Sequence, residues 1–370
     1  MGKRHDGGWS DDPRDLLRAG PGFELDDLER DATPGWGSGK KAARTFGRER
    51  GELLGELQER LFAEGRERGE RSLLVVVQGL DTAGKGGVAR HVMSKVDPQG
   101  VALRSFGPPS AEEQKHHFLW RIKKELPAPG LIGVFDRSHY EDVLVARVDE
   151  IVPPSVWEKR YDEINDFEES LAAAGTTVLK FGLMVSDDEQ GLRLMKRLDR
   201  PDKRWKYSTN DLPTRRQWDD YQSAYADVFR RTSTDAAPWY VIPADHKWYA
   251  RVAITEILTQ TLVDMDPAWP TVRWDPEVQR RQLAASMSTR ALRASLDETD
   301  RQVKKAVKDD RRVRKEAARA SSVGAEDDPL ATAEAEAREA EAAATTAGDM
   351  LDLQQTRKQK AALLEERREA

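Results

Sequence analysis

Five short apolar runs punctuate the first two thirds of the chain: SLLVVVQ (72–78), VALRSF (101–106), LIGVF (131–135), TTVLKFGLMV (176–185) and PWYVIP (238–243). None alternates apolar with polar positions, so each predicts a strand covered on both faces. Segments of helical character lie between them, near 85–96, 110–125, 154–174, 187–199 and 213–232. Strands separated by helices predict a parallel sheet between two helical layers, an α/β fold of three-layer α/β/α type. In such sheets ligands bind beyond the carboxyl ends of the strands. The chemically suggestive residues of this chain fall at those ends.

The flanks have a different texture. Residues 1–44 are rich in Gly, Pro and Asp and predict an irregular arm around a short helix near Pro13–Arg18. From Thr45 to about Gly69 a helix is expected, with Leu53, Leu54, Leu57, Leu61 and Phe62 on one face. This places a central domain at 45–264. Beyond it, DPAWPTVRWDP reads as a strap, and the rest of 265–370 as a charged, Ala-rich helical extension, partly disordered near Ser321–Pro329. No sustained heptad of large apolar residues supports a long coiled coil. The extension is either a solvated tail or a helix pair for oligomerisation or partner binding.

Composition narrows the chemistry. The chain has 370 residues and no cysteine, which excludes disulfides, thiolate nucleophiles and cysteine-ligated metal centres. No apolar run approaches the roughly 20 residues that span a bilayer, and MGKRHDGGWSDDPRD has no apolar signal-peptide core. A cytoplasmic protein without membrane contact is expected. A net charge of −6 speaks against general attraction to nucleic acid, although a local basic cluster can still hold a polyanion.

Such clusters exist. In VVVQGLDTAGKGGVARHV, Gly79, Gly84 and Lys85 satisfy the phosphate-loop pattern G-x-x-x-x-G-K-[ST], but Gly86 stands where a Mg²⁺-binding hydroxyl is usual. A strand precedes this segment and a helix follows it, so backbone N–H groups from Thr82 and Ala83 through Gly87 are placed to face phosphate oxygens. The missing hydroxyl is offset by two carboxylates, Asp81 in the loop and Asp136 at the end of LIGVFD, a Walker-B position. Mg²⁺ accepts one or two carboxylates with waters and phosphates, and Mn²⁺ suits the same donors. Arg137 is placed to stabilise charge on a transferring phosphoryl group or to pair with Glu141. Ser138 and His139 read as caps of the next helix.

The third cluster is GLRLMKRLDRPDKRWKYS, where Arg193, Lys196, Arg197, Arg200, Lys203, Arg204 and Lys206 outnumber Asp199 and Asp202. Pro201 breaks the helix within it, which suits a mobile lid, about 191–212, closing over phosphates. Trp205 either packs the closed lid or anchors it. His116 and His117 have no further ligand at metal spacing and read as packing residues. Arg121, Lys123 and Lys124 read as an exposed face.

Taken together the three clusters resemble the family-2 polyphosphate kinases. That family's G-x-D-x-x-G-K-G-G is matched by Gly79, Asp81, Gly84, Lys85, Gly86 and Gly87, and its D-R-S-x-Y by Asp136, Arg137, Ser138 and Tyr140. Its lid pattern R-x-x-x-P-x-K-x-W-K is matched by Arg197, Pro201, Lys203, Trp205 and Lys206. The resemblance implies a thymidylate-kinase-like P-loop fold, a dimeric or tetrameric homo-oligomer, and Mg²⁺-dependent reversible transfer between inorganic polyphosphate and nucleotides. It implies Asp81 and Asp136 for the metal, Lys85, Arg137 and Arg197 on the transferring phosphates, and Lys203 and Lys206 on the polyphosphate, with Arg193 and Trp205 beside them. Glu141, which follows D-R-S-x-Y, is similar to the subgroup that carries AMP through ADP to ATP; GMP and GDP are further acceptors to consider. The rival readings are an ATP-dependent nucleoside monophosphate kinase of the same fold, against which Gly86 weighs, and a non-catalytic nucleotide-binding protein.

Overall fold

The computed structural model describes residues 8–323 and 350–367, with side chains described outside 309–323. The chain divides into two compact units, the first reaching Pro270 and the second starting at Thr271.

In the first unit the apolar runs form five strands: β1 (Ser72–Gln78), β2 (Val101–Ser105), β3 (Ile132–Asp136), β4 (Thr176–Met184) and β5 (Trp239–Pro243). They pair in parallel in the order β2-β3-β1-β4-β5. Successive side chains of a strand point to opposite faces, and both faces here are covered. Leu73, Val75 and Val77 face one apolar core and Leu74 and Val76 the other, which is why the runs lack polar alternation. The exception is β2, an edge strand whose last three residues are exposed.

The helices that matter for the site are α1 (Pro13–Leu17), α2 (Lys40–Arg66), α3 (Lys85–His91), α4 (Pro154–Ala173), α5 (Asp187–Asp199), α6 (Trp218–Thr232) and α7 (Lys247–Met265). Residues of α2, α3 and α7 build the core on one face, and residues of α4 and α6 that on the other. Helix α7 is buried almost all round, as its largely apolar sequence requires. The described part of the N-terminal arm is tied to the rest of the unit. Trp9 and Trp36 meet edge to face at 5.3 Å, and Ala19 N donates to Trp239 O at 2.8 Å, covering the free edge of β5.

One expected helix is absent. Residues 110–125 form two short turns, Glu113–Lys115 and Trp120–Lys123. The apolar residues Leu119, just before the second turn, and Ile122, within it, are buried as isolated anchors. His116 stacks on Trp120 at 4.0 Å and His117 Nε2 lies 2.8 Å from Glu163, so both are packing and surface residues. Arg121 is buried under Gly107 O, at 2.8 Å, instead of lying on an exposed face. No helix among the described residues is long and apolar enough to cross a membrane.

In the second unit, α8 (Pro276–Ser286) and α9 (Thr289–Val323) are followed by a helical segment at 350–367. That segment returns to the other two: Lys360 Nζ donates to Thr299 Oγ1 at 2.8 Å and Arg367 Nη2 to Ala284 O at 2.9 Å. Residues 321–323, expected to be disordered, end α9; the remainder of that stretch lies outside the described residues.

Candidate active site

The loop after β1 turns sharply because its residues allow it. Gly79 (φ 150°) and Gly84 (φ 128°) occupy backbone regions that disfavour a side chain, and a Cβ on Gly79 would sit 2.6 Å from Leu183 O. Thr82, with φ 67°, is held in the left-handed region without being glycine, and its hydroxyl is buried with no partner among the described residues. Lys85 Nζ turns back onto the loop, donating to Gly79 O at 2.5 Å and Leu80 O at 3.3 Å. Burial, and then Arg137, pull the Lys85 ammonium below its ordinary pKa. An anion bound here would reverse that penalty. A Cβ on Gly86 would meet nothing within 4 Å, so the absence of a hydroxyl there does not come from lack of space.

The neighbouring strand β3 brings the second loop alongside. Val77 pairs with Asp136, so Asp81 and Asp136 hang from the carboxyl ends of adjacent strands. Arg137, again non-glycine and left-handed at φ 64°, places Nη2 3.1 Å from Asp81 Oδ1 and Nη1 3.7 Å from Glu141 Oε2. Burial works against its charge, but Glu141, Asp81 and Asp136 outweigh it and raise its pKa. Glu141 is pushed up by burial despite Arg137 and Lys85. Gln78, the last residue of β1, steadies this loop: its amide donates to Glu141 Oε1 at 3.0 Å and accepts from Ser138 Oγ and N at 3.1 Å.

Ser138 caps the following turn as expected, its Oγ accepting from Tyr140 N at 3.2 Å. His139 does not. It is fully buried, with Nε2 3.1 Å from Glu168 Oε1, in a network that sequence reasoning missed. Lys180 Nζ, inside β4, donates to Glu168 Oε2 at 2.5 Å, Tyr140 Oη at 2.8 Å and Thr232 O at 2.7 Å. A lysine within an apolar strand run was the signal. The network anchors the underside of the segment that carries Arg137 and Glu141.

The basic cluster lies over the same strand ends. Helix α5 stops at Asp199 because Arg200, preceding Pro201, is forced into extended backbone. Arg193 was expected among the phosphate-binding cations, but all five of its N–H donors meet protein oxygens. They reach Glu189 Oε1 (2.7 Å), Thr82 O (3.0 Å), Ala83 O (3.1 Å), Ala244 O (2.7 Å) and Asp245 O (2.9 Å). Its reach makes it a strut under the loop. Arg197 Nη1 donates to Lys206 O at 3.0 Å, tying the helix to the segment beyond Pro201. Trp205 is 76% exposed, its Nε1 donating to Asp202 O at 3.1 Å, with Lys206 Nζ 4.9 Å above its ring.

Two cavities flank this arrangement. One, of about 630 Å³, runs along Asp81–Val88 and is lined by Lys85, Lys196, Lys203, Lys247 and Arg251 among other cations; Asp81 and Asp136 are its carboxylates among the described residues. The other, of about 720 Å³, is lined by Glu141, Asp149, Asp211, Trp205, Tyr221 and Tyr225. Asp81, Arg137, Arg197 and Lys206 belong to both linings. A cationic chamber and a more acidic, aromatic one thus meet at a single charged wall. Sequence reasoning missed Tyr221 and Tyr225, whose signal was the aromatic spacing in WDDYQSAY.

Asp81 and Asp136 also open onto one cavity, which fits a cation that takes two carboxylates and completes its shell with phosphate and water. No group of three or more His, Asp or Glu among the described residues forms a self-sufficient metal site.

Comparison with known proteins bears on these features. A family model described as Polyphosphate kinase 2 (PPK2) matches residues 40–269. The chain is 46% identical over 248 residues to the AMP/ADP-polyphosphate phosphotransferase of Meiothermus ruber, covering 67% of this chain and 91% of that one. It is 43% identical over 231 residues to the ADP-polyphosphate phosphotransferase of Rhodopseudomonas palustris, covering 59% and 78% respectively. The crystal structure of polyphosphate kinase 2 from Arthrobacter aurescens TC1 aligns with a TM-score of 0.73 at 45% identity, over 75% of this chain and 98% of that one. The matched region contains all five strands, both loops and the basic cluster, and the chain belongs to the polyphosphate kinase 2 family.

Proposed function

We propose that this protein transfers phosphoryl groups reversibly between inorganic polyphosphate and nucleotides, carrying AMP to ADP and ADP to ATP. The observation that carries this reading is the wall of Asp81, Arg137, Arg197 and Lys206 shared by the two cavities. A polyanion suits the cationic chamber. The acidic and aromatic chamber suits a nucleoside, with the exposed Trp205 at its rim offering a face to a base and Tyr221 and Tyr225 nearly buried in its wall. Donor and acceptor phosphates would then meet at the wall.

This chemistry asks for positioning and charge stabilisation more than for covalent help. The Lys85 side chain and the N–H groups of Thr82, Gly84 and Gly86 hold the phosphates at the start of α3, those of Ala83 and Gly87 being taken by Leu80 O and Gly84 O, and Arg193 fixes the loop from below. Arg137, oriented by Asp81 and Glu141, faces the charge that develops on the transferred group. Arg197, Lys203 and Lys206 close over it from the lid, with Trp205 at the rim. Mg²⁺, or Mn²⁺ in its place, would be held by Asp81 and Asp136 and would neutralise phosphate charge. Glu141 lines the nucleoside chamber, where it bears on the choice between mono- and diphosphates. The catalytic domain on this reading is 45–264, in a cytoplasmic homo-oligomer.

The test is a panel of AMP, ADP, GMP and GDP offered to purified protein with long-chain polyphosphate as the sole phosphoryl donor, and again with ATP as donor. ADP followed by ATP from AMP supports the full reading. ATP from ADP without turnover of AMP removes the monophosphate activity, and transfer from ATP alone replaces the reading with a nucleoside monophosphate kinase.

A further inference from the structure

We propose that the phosphate chamber continues into a distal anion track, lined by Lys40 and Arg44 of α2, that seats the part of a polyphosphate chain remote from the transfer point. The proposal rests on the polyphosphate activity above and adds to it a determinant of chain-length preference. A third cavity, of about 710 Å³, lies where the first turns of α2 meet the start of α7. It shares His91, Lys196, Lys247 and Arg251 with the chamber around the phosphate loop, so the two volumes have a common cationic boundary. Lys40 and Arg44 line the distal volume and not the proximal one.

The electrostatics of this groove are unbalanced. Its two carboxylates are already engaged: Glu189 Oε1 accepts from Arg193 Nε at 2.7 Å, and Asp245 accepts from Ser186 N at 2.8 Å and Ser186 Oγ at 2.6 Å. Lys40, Arg44, Lys196, Lys247 and Arg251 form no ion pair with a carboxylate among the described residues. Arg251 is lowered by burial and then by Arg44, and Lys247 by burial and then by Arg193, so the cations lose by facing one another. Cations that outnumber the carboxylates beside them are what a polyanion would neutralise. The phosphates of one nucleotide at the loop leave the distal cations unused. A linear chain of phosphates passing from the loop across Lys247 and Arg251 would reach them.

The test uses the full chain and the double variant Lys40→Ala/Arg44→Ala, both positions being exposed and outside the transfer site. Initial rates of ATP formation from ADP are measured against long-chain polyphosphate and against tripolyphosphate, the latter as substrate or as competing inhibitor, over a range of salt. The expected result is a rise of about tenfold in KM for the long chain. The KM or inhibition constant for tripolyphosphate and the kcat should stay within about twofold, and the salt dependence of the long-chain KM should flatten as two phosphate contacts are lost. An unchanged long-chain KM, or an equal loss for both lengths, overturns the track while leaving the activity in place. Absence of turnover with any polyphosphate in the parent removes the proposed function and the track with it.

Discussion

Arg137 bridges two carboxylates from different parts of the site, Nη2 at 3.1 Å from Asp81 Oδ1 and Nη1 at 3.7 Å from Glu141 Oε2. It thereby ties the loop after β1 to the loop after β3, and it does so from a left-handed backbone that few arginines adopt. A guanidinium so oriented is set in place before substrate arrives. Arg137→Ala and Asp136→Asn are each expected to lower kcat by at least about a hundredfold, roughly 2.7 kcal/mol or more in activation free energy. Steady-state kinetics at saturating polyphosphate and ADP would check this, and near-normal rates in both variants would remove the two residues from the transfer site.

The glycines of the phosphate loop are not equivalent. At Gly79 an added Cβ would press on Leu183 O in a backbone region hostile to side chains, whereas Gly86 faces open space. Gly79→Ala is expected to destabilise the protein by about 1–3 kcal/mol. Gly86→Ser should lie within about 0.5 kcal/mol of the parent. Denaturant midpoints for the two variants give the comparison, and equal losses would contradict it.

Lys180 and Glu168 are both buried, and removing one partner strands the other. Lys180→Met is expected to cost about 3–5 kcal/mol, and Lys180→Met/Glu168→Gln less than that. The pH dependence has a definite sign. Burial opposes the Glu168 charge, but Lys180 and His139 outweigh it and hold its pKa below the ordinary carboxylate value. Its contribution is therefore full above the unfolded pKa and is lost as pH falls through the depressed folded one. Without Lys180 the carboxyl favours its protonated form, so the deficit of the single variant should shrink toward acid pH in urea titrations. A deficit independent of pH would argue against an ionised pair.

The metal expectation separates from the rest. Chelation is expected to abolish turnover, with Mg²⁺ or Mn²⁺ restoring it, and Asp136→Asn to raise the half-saturating Mg²⁺ concentration about tenfold, the equivalent of roughly 1.4 kcal/mol. Full activity after exhaustive chelation would refute a metal between Asp81 and Asp136.

Much of this was legible in the sequence for identifiable reasons. The strands were readable because a sheet covered on both faces selects unbroken apolar runs, and β1 occupies the run 72–78 from end to end. The phosphate loop and the Pro201 break were readable because both depend on local backbone rules. What escaped depends on contacts between remote segments. Residues 110–125 carry apolar anchors at helical spacing, yet tertiary packing divides them into two turns. Arg193 reads as one more cation of a basic lid, and only the fold brings the carbonyls of Thr82, Ala83, Ala244 and Asp245 within its reach. The pairing of Glu168 with Lys180 joins a helix to a strand, and neither residue alone announces the other.

The most direct measurement follows ATP formation from ADP and long-chain polyphosphate by the purified chain, with loss of phosphate from the polymer monitored by ³¹P NMR. ATP appearing in step with polymer consumption is the result expected here. No ATP from polyphosphate, with phosphoryl transfer from ATP to monophosphates intact, would contradict the central claim.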